Sequence, residues 1–123
     1  MADMVTIREE DLIESVADAL QFISFYHPMD YIRALGEAYE AEQGPAAKDA
    51  IAQILTNSRM CAEGHRPICQ DTGIVNVFVA WGQNCRLESA RSLQDVVDEG
   101  VRRAYRNPDN KLRGSILADP AFT

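Results

Sequence analysis

The residues of this chain whose types and spacing could do chemistry lie in one short loop, residues 66–73, which reads RPICQDTG. Within this loop a cysteine, an amide and a carboxylate follow one another directly as Cys69, Gln70 and Asp71. A thiolate binds soft metals and iron–sulfur clusters. Gln70 can hydrogen-bond a substrate carboxylate or hydroxyl, and Asp71 can move a proton. The loop therefore predicts a candidate metal and substrate site.

The competing interpretation of the loop is structural. Cys69 would then be a small buried apolar residue, Gln70 would be exposed and Asp71 would cap a turn. Pro67 stiffens the approach to the loop and Gly73 permits a tight turn into a predicted strand, but the residue types alone leave both interpretations open. Loops held at strand ends by a rigid scaffold commonly carry binding and catalytic residues.

Three helices are predicted before this loop. Thr6 and Glu9 have the spacing of a capping box, so the first helix should begin near Ile7. The second begins at Pro28, and the third runs from Pro45 to near residue 64, because proline suits the first helical position. The apolar residues that recur at helical period and should face inward are Leu12, Ile13, Val16, Leu20, Ile23, Ile32, Leu35, Tyr39, Ile51, Ile54 and Leu55.

The pattern changes after the loop. Residues 74–81, IVNVFVAW, are nearly all apolar and rich in β-branched and aromatic types, which predicts a strand buried on both faces. Residues 85–87 are predicted to pair back with it as a hairpin. Ser92 with Asp95 then caps a fourth helix. The predicted fold class is α/β, and α+β within these residues: a helical layer, a buried strand or hairpin, and a further helix.

A strand buried on both faces needs neighbouring strands and two covering layers. The remaining pattern of residues 1–123 does not supply them. We therefore expect the chain to be an incomplete piece of a larger domain.

Composition and charge exclude several classes of function. Of 123 residues, 46% are hydrophobic and 25% charged, with a net charge of −7. An acidic chain repels nucleic acid and anionic membranes, so neither is expected as a partner. No apolar run is long enough to span a bilayer, and the first residues do not have the pattern of a secretory signal. The odd number of cysteines favours thiols or metal ligands over disulfides, and we expect a cytoplasmic protein.

Three blocks of the sequence resemble one known family. Residues 66–73 resemble the signature loop of the class I, iron–sulfur-dependent fumarate hydratases and of the related tartrate dehydratases. Residues 57–65, NSRMCAEGH, and residues 109–115, DNKLRGS, resemble the same family in the expected order. With the N-terminal helices, the resemblance covers essentially the whole chain, as the N-terminal part of the family's N-terminal (alpha) domain.

The resemblance implies a cofactor and four site residues. In this family three cysteines that lie far apart in sequence hold a [4Fe-4S] cluster, and Cys69 matches the first of them. Gln70 and Asp71 match residues of the substrate pocket. Arg113 matches an arginine expected to face a substrate carboxylate, a task that suits its planar fork.

The implied reaction is the reversible hydration of fumarate to (S)-malate. The cluster iron acts as a Lewis acid and Asp71 as a proton carrier. The second base and the other cluster cysteines are expected in the C-terminal remainder of the enzyme, a homodimer when complete, so the isolated 123 residues should be inactive. Cys61 and Cys85 are interpreted as ordinary thiols, because their spacing from Cys69 fits no common zinc or ferredoxin pattern.

Two alternatives remain open. The first is an L(+)-tartrate dehydratase alpha-type chain, which would perform the same chemistry on a substrate with one more hydroxyl. The second is a non-catalytic thiol-sensing or binding module, which requires Cys69 to be exposed and to have a lowered pKa.

Overall fold

The structure is a computed structural model, and it describes residues 3–68, 74–110 and 112. Within these residues the chain forms four helices and two strands, which confirms the predicted mixed α and β class. It divides into two compact units, one formed by Met1–Gln21 and Asp71–Thr123, the other by Phe22–Gln70. In chain order the elements are β1 (Val5–Arg8), α1 (Glu9–Phe25), α2 (Met29–Ala41), α3 (Pro45–Gly64), β2 (Cys85–Glu88) and α4 (Leu93–Arg106).

The two strands form a parallel pair in the first unit. Val5 lies opposite Cys85, and the register continues to Arg8 opposite Glu88. The predicted hairpin between residues 74–81 and 85–87 is therefore wrong. The predicted start of the first helix near Ile7 is also wrong, because that residue lies in β1 and α1 begins at Glu9. β-branched residues fit a strand when a partner is available, and here the distant β2 supplies it.

Residues 74–81 are not the doubly buried strand that the sequence predicts. They are assigned no strand, and most of their large apolar side chains are exposed, from 39% for Ile74 to 95% for Phe78. Burial of a strand requires neighbours on both edges and layers on both faces. The described residues do not provide them.

Helices α1 and α4 form the core of the first unit. Ile13 and Val96 are completely buried. The helices approach closely at Gly100, where an added Cβ would lie 2.7 Å from Cβ of Val16. The predicted cap of α4 is confirmed, since the Ser92 hydroxyl accepts a hydrogen bond of 3.1 Å from the Asp95 N–H. The other buried apolar residues of this core are Leu20, Val97 and Ala104.

The second unit pairs α2 with α3. The predicted bounds of α3 are confirmed, with Pro45 at its start and Gly64 at its end. Pro28 caps α2 rather than beginning it, and none of the described side chains of α2 is fully buried. Two predicted inward positions are wrong, because Ile23 at the end of α1 is 57% exposed and Ile54 on α3 is 44% exposed. None of the described helices is long and apolar enough to cross a membrane.

Candidate functional site

The four residues predicted to carry the chemistry, Cys69, Gln70, Asp71 and Arg113, lie outside the described residues. Their roles therefore stay predictions. The structure does describe the segment that leads to Cys69, residues 65–68, and the contacts that hold this segment in place. These contacts describe the surroundings of the candidate site as far as Ile68.

The segment begins where α3 ends in a left-handed turn. His65 adopts φ 49° and ψ 45°, and its N–H donates to the carbonyl of Cys61. The N–H of Arg66 donates to the same carbonyl at 3.0 Å. A left-handed residue after the last helical turn closes off free carbonyls and redirects the chain. The direction in which the loop departs is thus set by the helix end.

The thiol of Cys61 makes a second contact with the segment. Its Sγ lies 3.7 Å from the carbonyl oxygen of Pro67 and 3.7 Å from Oδ1 of Asn57, and the residue is only 4% exposed. A thiol S–H is a weak donor, and either oxygen can accept from it. Cys61 is therefore buried, and its thiol contacts the segment that leads to Cys69.

A third contact joins the segment to α1. The N–H of Ile68, the residue immediately before Cys69, donates to the carbonyl of Ser24 at 2.8 Å. Ser24 lies in the last turn of α1 and is 2% exposed. A buried backbone hydrogen bond of this kind is costly to break. The backbone just before the predicted ligand is thus fixed to two helix ends.

Aromatic rings cover the same helix ends. The ring of His65 stacks on Phe25 with centroids 4.6 Å apart, and the hydroxyl of Tyr26 lies 3.2 Å from Nε2 of His65. Phe22 packs against Tyr26 at 4.5 Å but remains 57% exposed. These contacts hold the exposed His65 in its left-handed conformation.

An open groove of about 520 Å³ runs beside the segment in the second unit. On its wall the Nδ1 of His27 pairs with the hydroxyl of Ser58 at 2.9 Å, and the ring of His27 stacks on Tyr31. Ile68 also lines this groove. The pairing of His27 with Ser58 could not be predicted from the sequence, because two residues 31 positions apart carry no periodic signal.

Among the described residues of the first unit, three glutamates form ion pairs with arginines: Glu9, Glu10 and Glu99. Hydrogen bonding to Arg103 lowers the pKa of Glu10 below its ordinary value. For Glu99, burial acts to raise the pKa, but hydrogen bonds and charge from Arg103 and Arg102 outweigh it and the pKa is lowered.

Arg66 is exposed and forms no ion pair with a described residue. In sequence it lies three residues before Cys69.

The described residues include no group of three His, Cys, Asp or Glu side chains that could hold a metal ion. Cys61 is buried in α3, and Cys85 is half-buried in β2. Neither is arranged as part of a ligand set in the described part of the chain.

Comparison with known proteins gives the class. The sequence profile of the fumarate hydratase (fumerase) family matches residues 13–123. The chain belongs to this family.

Two curated relatives illustrate the likeness. A putative L(+)-tartrate dehydratase subunit alpha from Methanocaldococcus jannaschii is 32% identical over 89 residues, which are 72% of this chain and 31% of the relative. The L(+)-tartrate dehydratase subunit alpha of Escherichia coli K12 is 30% identical over 93 residues, 76% of this chain and 30% of the relative. The aligned region thus spans about a third of the length of these relatives. No solved structure matches the chain.

Proposed function

We propose that this chain is the N-terminal part of a hydro-lyase that interconverts fumarate and (S)-malate, and that Cys69 is one thiolate ligand of its [4Fe-4S] cluster. The observation that carries the proposal is the family match over residues 13–123, which contains the whole cysteine loop. The cytoplasm, where thiols stay reduced, is the proposed compartment. The remainder of the enzyme supplies the other ligands, and the complete protein is proposed to be a homodimer.

We assign each of the chain's own site residues a role according to the chemistry of its side chain. When bound, the cluster supplies a Lewis-acidic iron that polarises a substrate oxygen. Gln70 hydrogen-bonds the substrate, Asp71 accepts or returns a proton, and Arg113 pairs with a carboxylate. The exposed guanidinium of Arg66 adds local positive potential to a chain of net charge −7, and so favours entry of a dicarboxylate.

The described contacts support this assignment of Cys69. A cluster ligand must be held in a fixed position, because a loose thiolate costs metal affinity. The hydrogen bonds of Arg66 to Cys61 and of Ile68 to Ser24 fix the backbone up to the residue before Cys69. The buried thiol of Cys61 adds the contact to Pro67.

The test is a pair of cysteine variants in the intact protein. Cys69→Ser should lose cluster iron and lower hydratase turnover more than about 100-fold, since removal of a ligand costs at least as much as loss of a supporting contact. Cys85→Ser is the matched control, because Cys85 is half-buried in β2, and it should keep both. Iron content, the visible absorption of the cluster and malate formation are the measurements. Full iron and turnover in Cys69→Ser would refute the proposal.

A second candidate substrate is L(+)-tartrate, because both relatives described above are named as tartrate dehydratase alpha subunits. Turnover of the intact protein with fumarate, malate and L(+)-tartrate separates the two. If the protein dehydrates L(+)-tartrate but does not hydrate fumarate, tartrate replaces fumarate as the proposed substrate. The complete enzyme would then be proposed to contain separate subunits, as the names of these relatives indicate, instead of being a homodimer.

The third candidate, a thiol-sensing module, requires a reactive Cys69 and no cluster. Iodoacetamide labelling across pH tests it in the intact protein after removal of iron. Labelling of Cys69 only above about pH 8 is expected for an ordinary thiol, and it would exclude a sensor.

A further inference from the structure

Residues 74–81 have the apolar composition of a strand, and several of them lie beside helix α4. Val75, Val77 and Val79 line a groove of about 350 Å³ together with Leu93, Val97 and Val101 of α4. Asn76 lines the same groove. The segment is thus directed towards α4 through residues 75–77 and 79.

Phe78 does not line this groove, although it lies between two valines that do, and its side chain is 95% exposed. Val77 and Val79 themselves remain 44% and 48% exposed. An exposed phenylalanine within a contiguous apolar run is characteristic of an interaction surface rather than of a solvated loop.

The backbone of the segment also lacks partners within residues 3–68, 74–110 and 112. Its N–H and C=O groups form no backbone hydrogen bond with another described residue, whereas the neighbouring residues 82–88 are hydrogen-bonded to one another and to β1. An apolar segment of strand-forming residues with free backbone groups is a template for a further strand. Natural proteins protect such edges with charges, proline or a covering element, and residues 74–81 contain no charge and no proline.

We propose that residues 74–81, which have no strand partner among the described residues, pair with an apolar β-strand from the remainder of the enzyme. Such a strand would hydrogen-bond the backbone of the segment and bring the layer that covers Phe78. The lengths of the relatives support this source: the aligned region is only 31% and 30% of their chains, and the family match includes the segment itself. The inference rests on the proposed function only in taking the partner from the rest of that enzyme.

Hydrogen exchange on the intact protein tests the pairing. The amides of residues 74–81 should exchange at least about 100-fold more slowly than those of an unpaired chain, as expected for a strand in a sheet. Val77→Pro removes one donor and should abolish this protection locally. Val77→Ala is the matched control, because it shortens the same side chain but keeps the N–H, and it should leave the protection in place. Fast exchange of residues 74–81 in the unsubstituted protein would overturn the proposal.

Photo-crosslinking identifies the occupant. The probe is p-benzoylphenylalanine placed at position 78 in the intact protein, with the same probe at the exposed Phe22 of α1 as control. A cross-linked peptide from a part of the enzyme outside these 123 residues, formed from position 78 and not from position 22, is the expected result. A cross-link to residues 74–81 of a second copy, to α4, or to an unrelated protein would overturn the proposal.

These measurements are independent of catalysis. Neither exchange nor cross-linking depends on iron or turnover. Failure of the strand pairing with the expected loss of iron in Cys69→Ser would refute only the docking surface. The reverse outcome would refute only the proposed function.

Discussion

Helix α4 and residues 74–81 lie in the same compact unit and both carry repeated valines, but they differ sharply in burial. On α4, Val96 is completely buried and Val97 is 8% exposed, whereas Val77 is 44% exposed and Phe78 95%. A helix satisfies its backbone hydrogen bonds internally and needs one apolar partner, which α1 provides. A strand needs partners along its edges as well as on its faces. The described residues thus supply the partner that α4 needs for burial, but they do not supply the partners that residues 74–81 would need to form a buried strand.

The same difference bears on the candidate site. In sequence the loop 69–73 is flanked by Ile68 and by Ile74. Ile68 is hydrogen-bonded to the end of α1, while Ile74 begins the segment that has no strand partner among the described residues. The described residues therefore fix the backbone up to Ile68.

The largest effect on the packed region is expected from Ile13→Ala. Ile13 is completely buried, and truncation of a buried isoleucine should lower the free energy of unfolding by about 2–5 kcal/mol. Urea unfolding of the intact protein is the measurement. The control is Ile23→Ala on the same helix, at a position that is 57% exposed and should cost about 0.5 kcal/mol or less. Equal costs at the two positions would contradict the assigned core.

Gly100→Ala should have the next largest effect. The added Cβ would lie 2.7 Å from Cβ of Val16 and 3.0 Å from the carbonyl oxygen of Ile13, so α1 and α4 must separate. We expect a loss of about 1–3 kcal/mol in the free energy of unfolding. Gly36→Ala in α2 is the control: its Cβ would meet nothing within 4 Å, and it should stabilise by up to about 1 kcal/mol. A stabilising Gly100→Ala would show that the two helices are not in close contact.

Ser92→Ala tests the start of α4. Loss of the cap that accepts from the Asp95 N–H should cost about 0.5–2 kcal/mol of unfolding free energy. Ser15→Ala is the control, because Ser15 is exposed inside α1 and its hydroxyl donates only to the carbonyl of Asp11 one turn earlier. That control should change stability by about 0.5 kcal/mol or less. Thermal unfolding of the two variants side by side is the measurement, and the prediction fails if both behave alike.

The smallest effect concerns the pH dependence of the α1–α4 pair. Because hydrogen bonding to Arg103 lowers the pKa of Glu10, its contribution is present above the carboxyl's ordinary pKa of 4.5 and is lost as the pH falls through the lowered value. Glu10→Gln should therefore lower the urea midpoint slightly at neutral pH, and the difference should disappear in acid. Glu37→Gln on α2, which forms no ion pair with a described residue, should match the unsubstituted protein throughout. A difference that grows in acid would contradict the assigned direction.

Local chemistry predicted the later helices well. Proline at position 45 and the Ser92 cap gave the starts of α3 and α4 to the residue, because both signals act within one helical turn. The start of α1 was wrong because Thr6 belongs to β1, whose partner β2 lies about 80 residues away in sequence. A capping pattern carries no information about so distant a partner. Cys69, Gln70, Asp71 and Arg113 stay predictions, and the family match over residues 13–123 is their support.

The sequence by itself determined the class of this protein, the bounds of α3, the start of α4 and the loop that should carry its chemistry. These features depend on short-range interactions and on motifs that can be compared residue by residue. Only the tertiary structure decided that β1 pairs with β2, that Ile68 is tied to Ser24, and that much of residues 74–81 is exposed. Each of these depends on what lies opposite in space, since a strand can bury its backbone and its faces only against a partner.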